Sequence, residues 1–473
     1  MLNSAKIKVP SSDSTFFFTN IEKIGIFKAW IYSIWVRIPT PLERYDMAKL
    51  KAAIIGAGST YTPELVEGFT LRKELLPFTE FVLMDIDEKR LDIVGGLAKR
   101  QMEAAGFSGD IIKTTDLDRA IDGASFVFGQ VRVGQMVSRI NDEKIPLKYD
   151  CLGQETTGMG GFMKALRTVP VMMDIAGRMK KNAATDAWLI NFSNPSGIIA
   201  QAILNETDTK MIGLCNCAIN MLKEIEDTIG TKDFDYEYIG LNHLSFITSV
   251  IKRGETENLV TALSGKAGAT MKNVPEIEYE PALLRAIPYI PSSYLSYFYT
   301  RGQQIKKCHE AKICRGEECR ELEDKLIELY TDPNLREKPA ELEKRGGSLY
   351  STAAVSVAEA IYNDKQEDHV LAAKNNGAVP FMDKDDVVEV KCKVGSNGVT
   401  PLPVMVYNDY VVGIMQAVKA YERLTVKAAL SGDRDAALAA LMVHPLIGDY
   451  DKAAPMLNEM LEVNREFLPR FFA

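Results

Sequence analysis

KAAIIGAGSTYTP, residues 51–63, is the stretch that decides the fold of this chain. A short apolar run at 52–55 predicts a strand that leads into a glycine turn and then into a helix. In such a turn Gly56 makes the tight bend, and Gly58 lets backbone N–H groups approach a pyrophosphate at the helix N-terminus. The stretch therefore favours a dinucleotide-binding fold over a purely structural turn.

The next apolar run, residues 81–84, ends in an acidic residue that supports the same interpretation. Asp85 lies 27 residues after Gly58, where a carboxylate can bind both ribose hydroxyls of NAD and repel the extra phosphate of NADP. Tyr61 replaces the third glycine of the usual fingerprint. Strand, turn, helix, strand and acid in this order nevertheless predict NAD binding.

The composition is that of an ordinary soluble globular protein with room for two substantial lobes. The chain has 473 residues, of which 46% are hydrophobic and 25% are charged. Its net charge of −8 argues against a nucleic-acid partner. Seven scattered cysteines fit a reducing cytoplasm better than a disulfide framework, and no apolar stretch reaches the roughly 18–20 residues of a membrane span. We therefore expect a cytoplasmic protein without a membrane partner.

The first 46 residues do not match the rest of the chain. Residues 15–37 are rich in aromatic and β-branched side chains and include Trp30 and Trp35, yet lysines and a glutamate interrupt them. The segment is a poor membrane helix, and it is a poor signal peptide because no small-residue cleavage site follows. Met47 stands just before the first strand. We interpret residues 1–46 as a non-native extension from an over-early start codon, with a membrane-surface anchor as the alternative.

Apolar strands alternate with amphipathic helices from residue 49 to about residue 240. The predicted strands are 52–55, 81–84, 111–115, 126–129, 187–191 and 211–214, and the predicted helices are 63–75, 89–105 and 161–182. Several strands end in a polar residue followed by a loop, which is typical of a parallel sheet whose carboxyl ends form a ligand crevice. The pattern predicts an α/β fold with a Rossmann-type NAD-binding domain over residues 47–240.

Residues 241–473 predict a second domain, mainly helical and of the α+β type. It begins with a polar–apolar alternation at 243–252. Helices are predicted at 319–329, 350–363 and 410–430. A late strand pair, 387–394 and 402–405, is predicted around a turn at 396–398.

A cysteine and a histidine are the candidate metal ligands. Cys215 ends a predicted strand at the mouth of the crevice, and His243 follows 28 residues later. This pair suits a borderline divalent ion such as Mn²⁺, Ni²⁺, Co²⁺ or Fe²⁺, with positions left open for a substrate. From spacing alone, a buried cysteine and a core histidine remain the simpler interpretation. The cysteines and histidine within residues 308–319 lack a C-x-x-C pair, which disfavours a zinc site there.

Three other segments could contribute to a site. The amides of residues 191–195, NFSNP, could bind sugar hydroxyls, although Asn-Pro is also a common turn signal. Arg139 could form a planar fork for phosphate, or equally a salt bridge. Residues 291–299 contain Tyr294 and two further tyrosines. Such a stripe usually packs in a core, but a phenol beside a divalent cation would have a lowered pKa and could act as a base.

Together and in this order the motifs resemble glycoside hydrolase family four, the NAD- and metal-dependent glycosidases, and most of all its 6-phospho-β-glucosidases. The similarity runs from about residue 49 to residue 468. Its pieces are GAGSTYTPEL, VRVGQMVSRINDEKIPLKYDCLGQETTGMGG, NFSNPSG, GLCN, GLNHLSF, PSSYLSYFY, EKRGGSLYS and NNGAV. The family is an exception to two-carboxylate glycosidase chemistry.

The resemblance implies roles for the residues of the glycine turn. Gly56, Gly58 and Ser59 would hold the NAD phosphates, and Asp85 would hold the ribose. It also implies that the second domain binds substrate and metal and forms a homodimer or homotetramer.

The resemblance further assigns the metal and the base. Cys215 and His243 would ligate the ion, usually manganese, with Asn194 close to it in the substrate site. Tyr294 matches the general base, and Tyr350 is a second candidate.

The substrate implied by the resemblance is a small phosphorylated sugar, whose 6-phosphate Arg139 and Arg315 would bind. In the family, NAD⁺ takes a hydride from C3, the metal polarises the ketone, the base removes the C2 proton, and the C1–O1 bond breaks by elimination. Water then adds and the hydride returns, so no net oxidation occurs. Asn216 stands where α-acting members carry an aspartate, which favours a β-glycoside.

Two alternatives remain. The fold also resembles the lactate and malate dehydrogenases, so an NAD-dependent dehydrogenase of a hydroxy acid or sugar is the first, and steady accumulation of NADH would favour it. A family-four glycosidase acting on a non-phosphorylated glycoside is the second.

Overall fold

A computed structural model describes residues 50–264, 279–345 and 350–473, without the side chains of residues 350–352. The predicted extension, residues 1–46, lies outside the described residues.

Twelve strands and sixteen α-helices make up the described chain. The strands are β1 (Lys51–Ile55), β2 (Glu80–Met84), β3 (Asp110–Thr114), β4 (Phe126–Gly129), β5 (Trp188–Asn191), β6 (Met211–Gly213), β7 (Phe234–Leu241), β8 (Leu244–Lys252), β9 (Ile290–Pro291), β10 (Glu367–Lys374), β11 (Val387–Gly395) and β12 (Gly398–Pro401). The helices are α1 (Thr62–Leu71), α2 (Glu88–Ala104), α3 (Leu117–Ile121), α4 (Gln135–Lys144), α5 (Gly158–Asn182), α6 (Ser196–Glu206), α7 (Asn216–Ile229), α8 (Val260–Leu263), α9 (Pro281–Ala286), α10 (Ser296–Tyr299), α11 (Arg301–Glu310), α12 (Arg315–Tyr330), α13 (Tyr350–Tyr362), α14 (Asp409–Ser431), α15 (Arg434–Val443) and α16 (Tyr450–Val463).

All twelve strands join one sheet in the order β3-β2-β1-β4-β5-β6-β10-β11-β7-β8-β9, with β12 paired to β11. The first six strands are parallel and follow the order 3-2-1-4-5-6 of a dinucleotide-binding sheet. The remaining strands pair antiparallel. The predicted α/β fold and its Rossmann-type sheet are confirmed.

Burial explains why the first strands read as continuous apolar runs. All five residues of β1 are buried, as are those of β4 and β5, which is expected of parallel strands covered on both faces. Helix α1 packs against α2 and α13, and α5 packs against α6 and α14. The sheet and these helices enclose one large apolar core.

The second half of the chain differs from its prediction in its strands. The strand predicted at 402–405 is wrong: β12 begins at Gly398, because a two-residue turn returns the chain at once, with Gly395 opposite Gly398. The prolines at 401 and 403 have no N–H with which to continue the ladder. Strands β7, β9 and β10 were not predicted.

No helix in the described ranges combines the length and apolar character needed to cross a membrane.

Candidate active site

The carboxyl ends of the parallel strands gather the candidate site residues at one edge of the sheet. Strand β1 leads to the glycine turn, β2 to Asp85, β5 to the NFSNP loop and β6 to Cys215. Ligands bind at this edge in open α/β sheets. The fold therefore brings together segments that are up to 160 residues apart in the sequence.

The glycine turn depends on the absence of side chains at two positions. Gly56 has φ +89°, and a Cβ there would lie 2.8 Å from the carbonyl oxygen of Gln130. The backbone N–H of Gly58 donates to Asp85 Oδ2 at 2.8 Å, and a Cβ on Gly58 would lie 2.8 Å from that same oxygen. Asp85 Oδ1 accepts from the N–H of Asp87 at 3.0 Å. A partly exposed carboxylate thus stands beside the turn that precedes α1, as a dinucleotide site requires.

Side-chain bonds tie this turn to its neighbours. Gln130 Nε2 donates to Thr62 Oγ1 at 2.7 Å, at the start of α1. The N–H of Val131 donates to Ser193 Oγ at 2.9 Å, and the Asn191 side chain bonds both the N–H and the C=O of Ser193. The NFSNP loop is therefore fixed to the segment after β4.

Cys215 and His243 meet as the metal prediction requires. Cys215 Sγ lies 3.3 Å from His243 Nε2, and both residues are almost fully buried. Burial lowers the pKa of His243 to about 3, so the imidazole is neutral at pH 7. The His243 Nδ1 atom and Asn194 Oδ1 are buried without a hydrogen-bond partner.

This donor set fits one divalent ion. At bond lengths of about 2.3 Å to sulfur and about 2.1 Å to nitrogen, a single ion spans the distance between Cys215 Sγ and His243 Nε2. Within the described ranges no group of three or more His, Cys, Asp and Glu side chains is placed to bind a metal. Open coordination positions are typical of a catalytic rather than a structural ion.

Among the three tyrosines of residues 291–299, Tyr294 packs its ring against the imidazole of His243. The centroids of the Tyr294 and His243 rings are 4.1 Å apart, and Tyr294 is 5% exposed. Tyr299 packs against Tyr410 with ring centroids 6.0 Å apart, and burial raises its pKa. Burial also raises the pKa of Tyr297. The tyrosine stripe is therefore partly packing, and Tyr294 alone of the three has a ring contact with a candidate metal ligand.

A buried cationic cluster surrounds Glu155. Arg132, Arg139 and Lys164 reach its carboxylate at 2.7, 2.9 and 2.6 Å. Burial would raise the pKa of Glu155, but the three cations hold it well below its usual range. Burial, followed by repulsion from Arg132, lowers the pKa of Lys164 to about 7. The pKa of His243, lowered mainly by burial, is raised by the charge of Glu155 and lowered by that of Lys164.

The two predicted phosphate-binding arginines have different surroundings. Arg139 Nε also binds Glu143 at 2.8 Å, and Glu143 Oε2 accepts from the N–H of Gly316 at 2.6 Å. Arg315, one residue earlier on α12, directs its guanidinium to Glu318 at 2.9 Å and to the carbonyl of Lys344 at 3.2 Å. Arg139 therefore belongs to the cationic cluster, and Arg315 lies beside it on the neighbouring helix.

Three features of the site have no counterpart in the sequence prediction. Lys164 was missed, although a lysine in the apolar run GGFMKAL is a recognisable signal of a buried charge. Tyr61, in place of the third glycine, donates to the carbonyl of Arg345 at 3.1 Å. Glu389 of β11, whose carboxylate accepts a hydrogen bond from Asn242 next to His243, was missed because nothing near it in the sequence indicates its partners. The second base candidate, Tyr350, begins α13, but its side chain lies outside the described residues.

Comparison with known proteins agrees with this arrangement. A family model described as "Family 4 glycosyl hydrolase" matches residues 51–231, and one described as "Family 4 glycosyl hydrolase C-terminal domain" matches residues 238–447. A protein of Bacillus subtilis (strain 168), named as a probable 6-phospho-β-glucosidase, is 40% identical over 89% of this chain and 98% of its own length.

Two solved structures of the 6-phospho-β-glucosidase of Thermotoga maritima are also similar. One, with NAD and glucose 6-phosphate, has a TM-score of 0.82 and 35% identity, over 89% of this chain and 99% of the other. The second, with manganese, NAD⁺ and glucose 6-phosphate, has a TM-score of 0.80 and 34% identity, over 88% and 99%. The chain belongs to glycosyl hydrolase family 4.

Proposed function

We propose that this chain hydrolyses 6-phospho-β-glucosides, such as cellobiose 6-phosphate, to glucose 6-phosphate and the aglycone. The observation that carries the proposal is the cluster of Cys215, His243 and Tyr294 at the same sheet edge as a dinucleotide-type turn. The names of the Bacillus subtilis and Thermotoga maritima relatives support the substrate class.

NAD and a divalent metal, Mn²⁺ in the first instance, are the cofactors of this proposal. Gly56, Gly58 and Ser59 would hold the NAD phosphates, and Asp85 the ribose. When bound, NAD can accept and return a hydride while the metal acts as a Lewis acid on sugar oxygens. The manganese and NAD⁺ in the Thermotoga maritima structure support this pair of cofactors.

Cys215 and His243 would hold the metal. Because burial keeps the imidazole neutral, His243 can offer a lone pair over the whole physiological pH range. Asn194, with its buried Oδ1 atom, would offer its amide to the sugar or the ion from the neighbouring loop. Both side chains are almost fully buried, which would help to exclude bulk water from the reacting end of a substrate.

Tyr294 would act as the general base that takes the proton from C2 of the sugar. The Tyr294 ring packs against the His243 ring. The phenol would therefore be close to the metal ion, whose positive charge would favour the ionised form of Tyr294. A general base of this kind contributes typically about 10²–10⁴-fold to the rate. Tyr350 remains the second candidate, and Tyr350→Phe beside Tyr294→Phe would separate them.

Arg139 would bind the substrate 6-phosphate, with Arg315 on the neighbouring helix. Arg132 and Lys164 belong to the same cluster, in which three cations face the carboxylates of Glu155 and Glu143. This largely buried positive charge would favour a dianionic phosphate. Asn216 at the first position of α7 supports a β-glycoside.

Further parts of the proposal concern the whole protein. Residues 47–240 would form the NAD-binding domain, and residues 241–473 would bind substrate and metal and assemble a homodimer or homotetramer. Residues 1–46 would be dispensable. All seven cysteines are described and none forms a disulfide, which supports the proposed cytoplasmic location. Light scattering of the purified chain would measure the oligomeric state.

The test is release of p-nitrophenol from p-nitrophenyl β-glucoside 6-phosphate, with and without NAD⁺ and Mn²⁺. We expect turnover that needs both additives and the 6-phosphate, with no accumulation of NADH. The unphosphorylated compound and the α-anomer serve as controls. Steady NADH formation would support the dehydrogenase alternative. Equal turnover of the unphosphorylated compound would support a family-four glycosidase that acts on non-phosphorylated glycosides.

A further inference from the structure

Glu389 is a buried carboxylate held by neutral groups. It lies in β11, between β10 and β7, and is 2% exposed. Its Oε1 is 2.8 Å from the Tyr238 hydroxyl, and its Oε2 accepts from Asn242 Nδ2 at 3.1 Å. Burying a carboxylate in an apolar sheet is costly, and Val387, Val388 and Val390 around it show that this strand otherwise favours valine. A role beyond packing would explain why a glutamate stands there.

Asn242 connects Glu389 to the NFSNP loop. Its Nδ2 donates to Glu389, and its Oδ1 accepts from the N–H of Gly197 at 3.3 Å. The contact is close, because a Cβ on Gly197 would lie 2.9 Å from the Asn242 Cβ. Gly197 lies three residues after Asn194, at the start of α6. One amide side chain therefore joins the strand that carries Glu389 to the loop that carries Asn194.

Asn242 also determines where His243 lies. The two residues form the turn between β7 and β8, whose last pair is Leu241 with Leu244. His243 has φ +66°, a left-handed conformation that residues other than glycine rarely adopt. Such a conformation persists when the surrounding contacts fix it. The bonds of Asn242 to Glu389 and to Gly197 are contacts of this kind, directly beside the candidate metal ligand.

We propose that Glu389 is a positioning residue for the metal pair: through Asn242 it holds the turn of His243 against the loop of Asn194. The inference rests on the proposed function, because it assumes that His243 binds the metal. It assigns Glu389 no contact with the substrate or with the ion. Neighbours that orient a metal ligand typically change metal affinity by about 10–100-fold when they are removed.

Glu389→Met is the variant that breaks this link. Methionine has a similar length but cannot accept the hydrogen bond from Asn242. The substitution leaves the partly buried Asn242 amide without this acceptor, which costs stability, so Tm has to be measured beside metal affinity to separate lost binding from lost folding. Glu389→Gln keeps an acceptor for Asn242, because the Tyr238 hydroxyl can turn its proton to Ser245 Oγ, 2.6 Å away. It therefore serves as the conservative rescue.

The measurement is Mn²⁺ affinity of the full chain, followed by the EPR signal of free Mn²⁺, with NAD⁺ affinity and Tm measured beside it. We expect Glu389→Met to bind Mn²⁺ at least about tenfold more weakly with unchanged NAD⁺ affinity, and Glu389→Gln to stay within about threefold of the wild type. Glu359→Met removes another buried carboxylate, one paired with Arg72 and Lys365, and should leave Mn²⁺ affinity unchanged.

Each other outcome overturns a defined part of the inference. Wild-type affinity in Glu389→Met would refute the positioning role, and equal losses in Glu389→Met and Glu389→Gln would assign the effect to charge. If Glu389→Met does not fold, Asn242→Ser decides the question, because it removes the connecting amide and leaves Glu389 with Tyr238. Unchanged Mn²⁺ affinity in that variant would refute the link. If the wild type itself binds no Mn²⁺, the proposed function fails instead.

Discussion

The glycine turn and the metal pair lie at the same edge of the sheet but are built in different ways. The turn joins Gly58 to Asp85 across 27 residues, through a backbone N–H that donates to the aspartate carboxylate. The metal pair needs two particular side chains, and its turn is held by Asn242 and Glu389, which are 147 residues apart. The first region is specified locally by backbone geometry, and the second by the register of distant strands.

The largest expected effect separates the two regions. Cys215→Ala removes one of the two proposed metal ligands, so turnover of the phosphorylated glucoside should fall to background. NAD⁺ affinity should be unchanged, because the glycine turn follows β1 whereas Cys215 follows β6. Parallel titrations with Mn²⁺ and NAD⁺ check this. A variant that lost both affinities would show that the two regions are not independent.

Tyr294→Phe should have the next largest effect. The ring contact with His243 survives, but the hydroxyl that would take the C2 proton is lost. We expect kcat to fall about 10²–10⁴-fold with little change in Mn²⁺ affinity. The rate of exchange of the C2 proton with deuterated water measures the same step directly. Full activity in this variant would move the role of base to Tyr350.

Gly58→Ala tests the local region. Its Cβ would lie 2.8 Å from Asp85 Oδ2, so the carboxylate has to move away from the backbone N–H. We expect NAD⁺ to bind about tenfold more weakly, the equivalent of about 1.4 kcal/mol, while Mn²⁺ affinity stays the same. Isothermal titration with NAD⁺ is the measurement. An equal loss of Mn²⁺ affinity would show that the glycine turn and the metal pair are not independent.

Glu155 and Glu389 predict opposite responses of stability to pH. Burial raises the pKa of Glu389 to about 7 despite its bonds to Tyr238 and Asn242, and Glu422 adds to the rise. The folded state then binds this proton more tightly than the unfolded state. Its contribution to stability is present below about pH 4.5 and is lost as the pH rises to about 7, on the order of 3 kcal/mol. The lowered pKa of Glu155 contributes stability that is lost instead as the pH falls below about 4.5.

Glu389→Gln isolates the first of these responses. The free energy of unfolding of the wild type and the variant should converge at about pH 4.5 and separate towards pH 7, with the variant more stable at the higher pH. Urea unfolding at a series of pH values measures the difference. Parallel curves over this window would show that Glu389 keeps its usual pKa.

Deletion of residues 1–46 should have the smallest effect. If these residues are a non-native extension, activity and solubility should be unchanged, and a comparison of the two purified chains measures both. A clear loss of either would favour the membrane-surface anchor.

The sequence could predict almost completely the parallel sheet and the glycine turn with Asp85. The six parallel strands, the turn at Gly56 and the acidic residue after β2 all lie within short stretches whose pattern indicates their structure. The helix predicted at 63–75 ends at Leu71, and the helix predicted at 161–182 begins at Gly158, which are ordinary errors of element ends.

The rest depends on contacts that no local pattern contains. Spacing alone favoured a buried cysteine and a core histidine over a metal pair of Cys215 and His243, and the resemblance to a family decided for the pair. Glu389 reaches Asn242 because β11 pairs with β7, with Glu389 opposite Gly240, and β7 was not predicted. Lys164 finds its partner Glu155 nine residues away across a turn and a helix start. A charge in an apolar run indicates burial, but not what it binds.

The most direct test of the account is p-nitrophenol release from p-nitrophenyl β-glucoside 6-phosphate by the full chain, with NAD⁺ and Mn²⁺ added separately and together. We expect turnover only when both are present, no net NADH, and no turnover by Cys215→Ala under any condition. Turnover by Cys215→Ala, or by the wild type without Mn²⁺, would contradict the proposed metal pair and the function built on it.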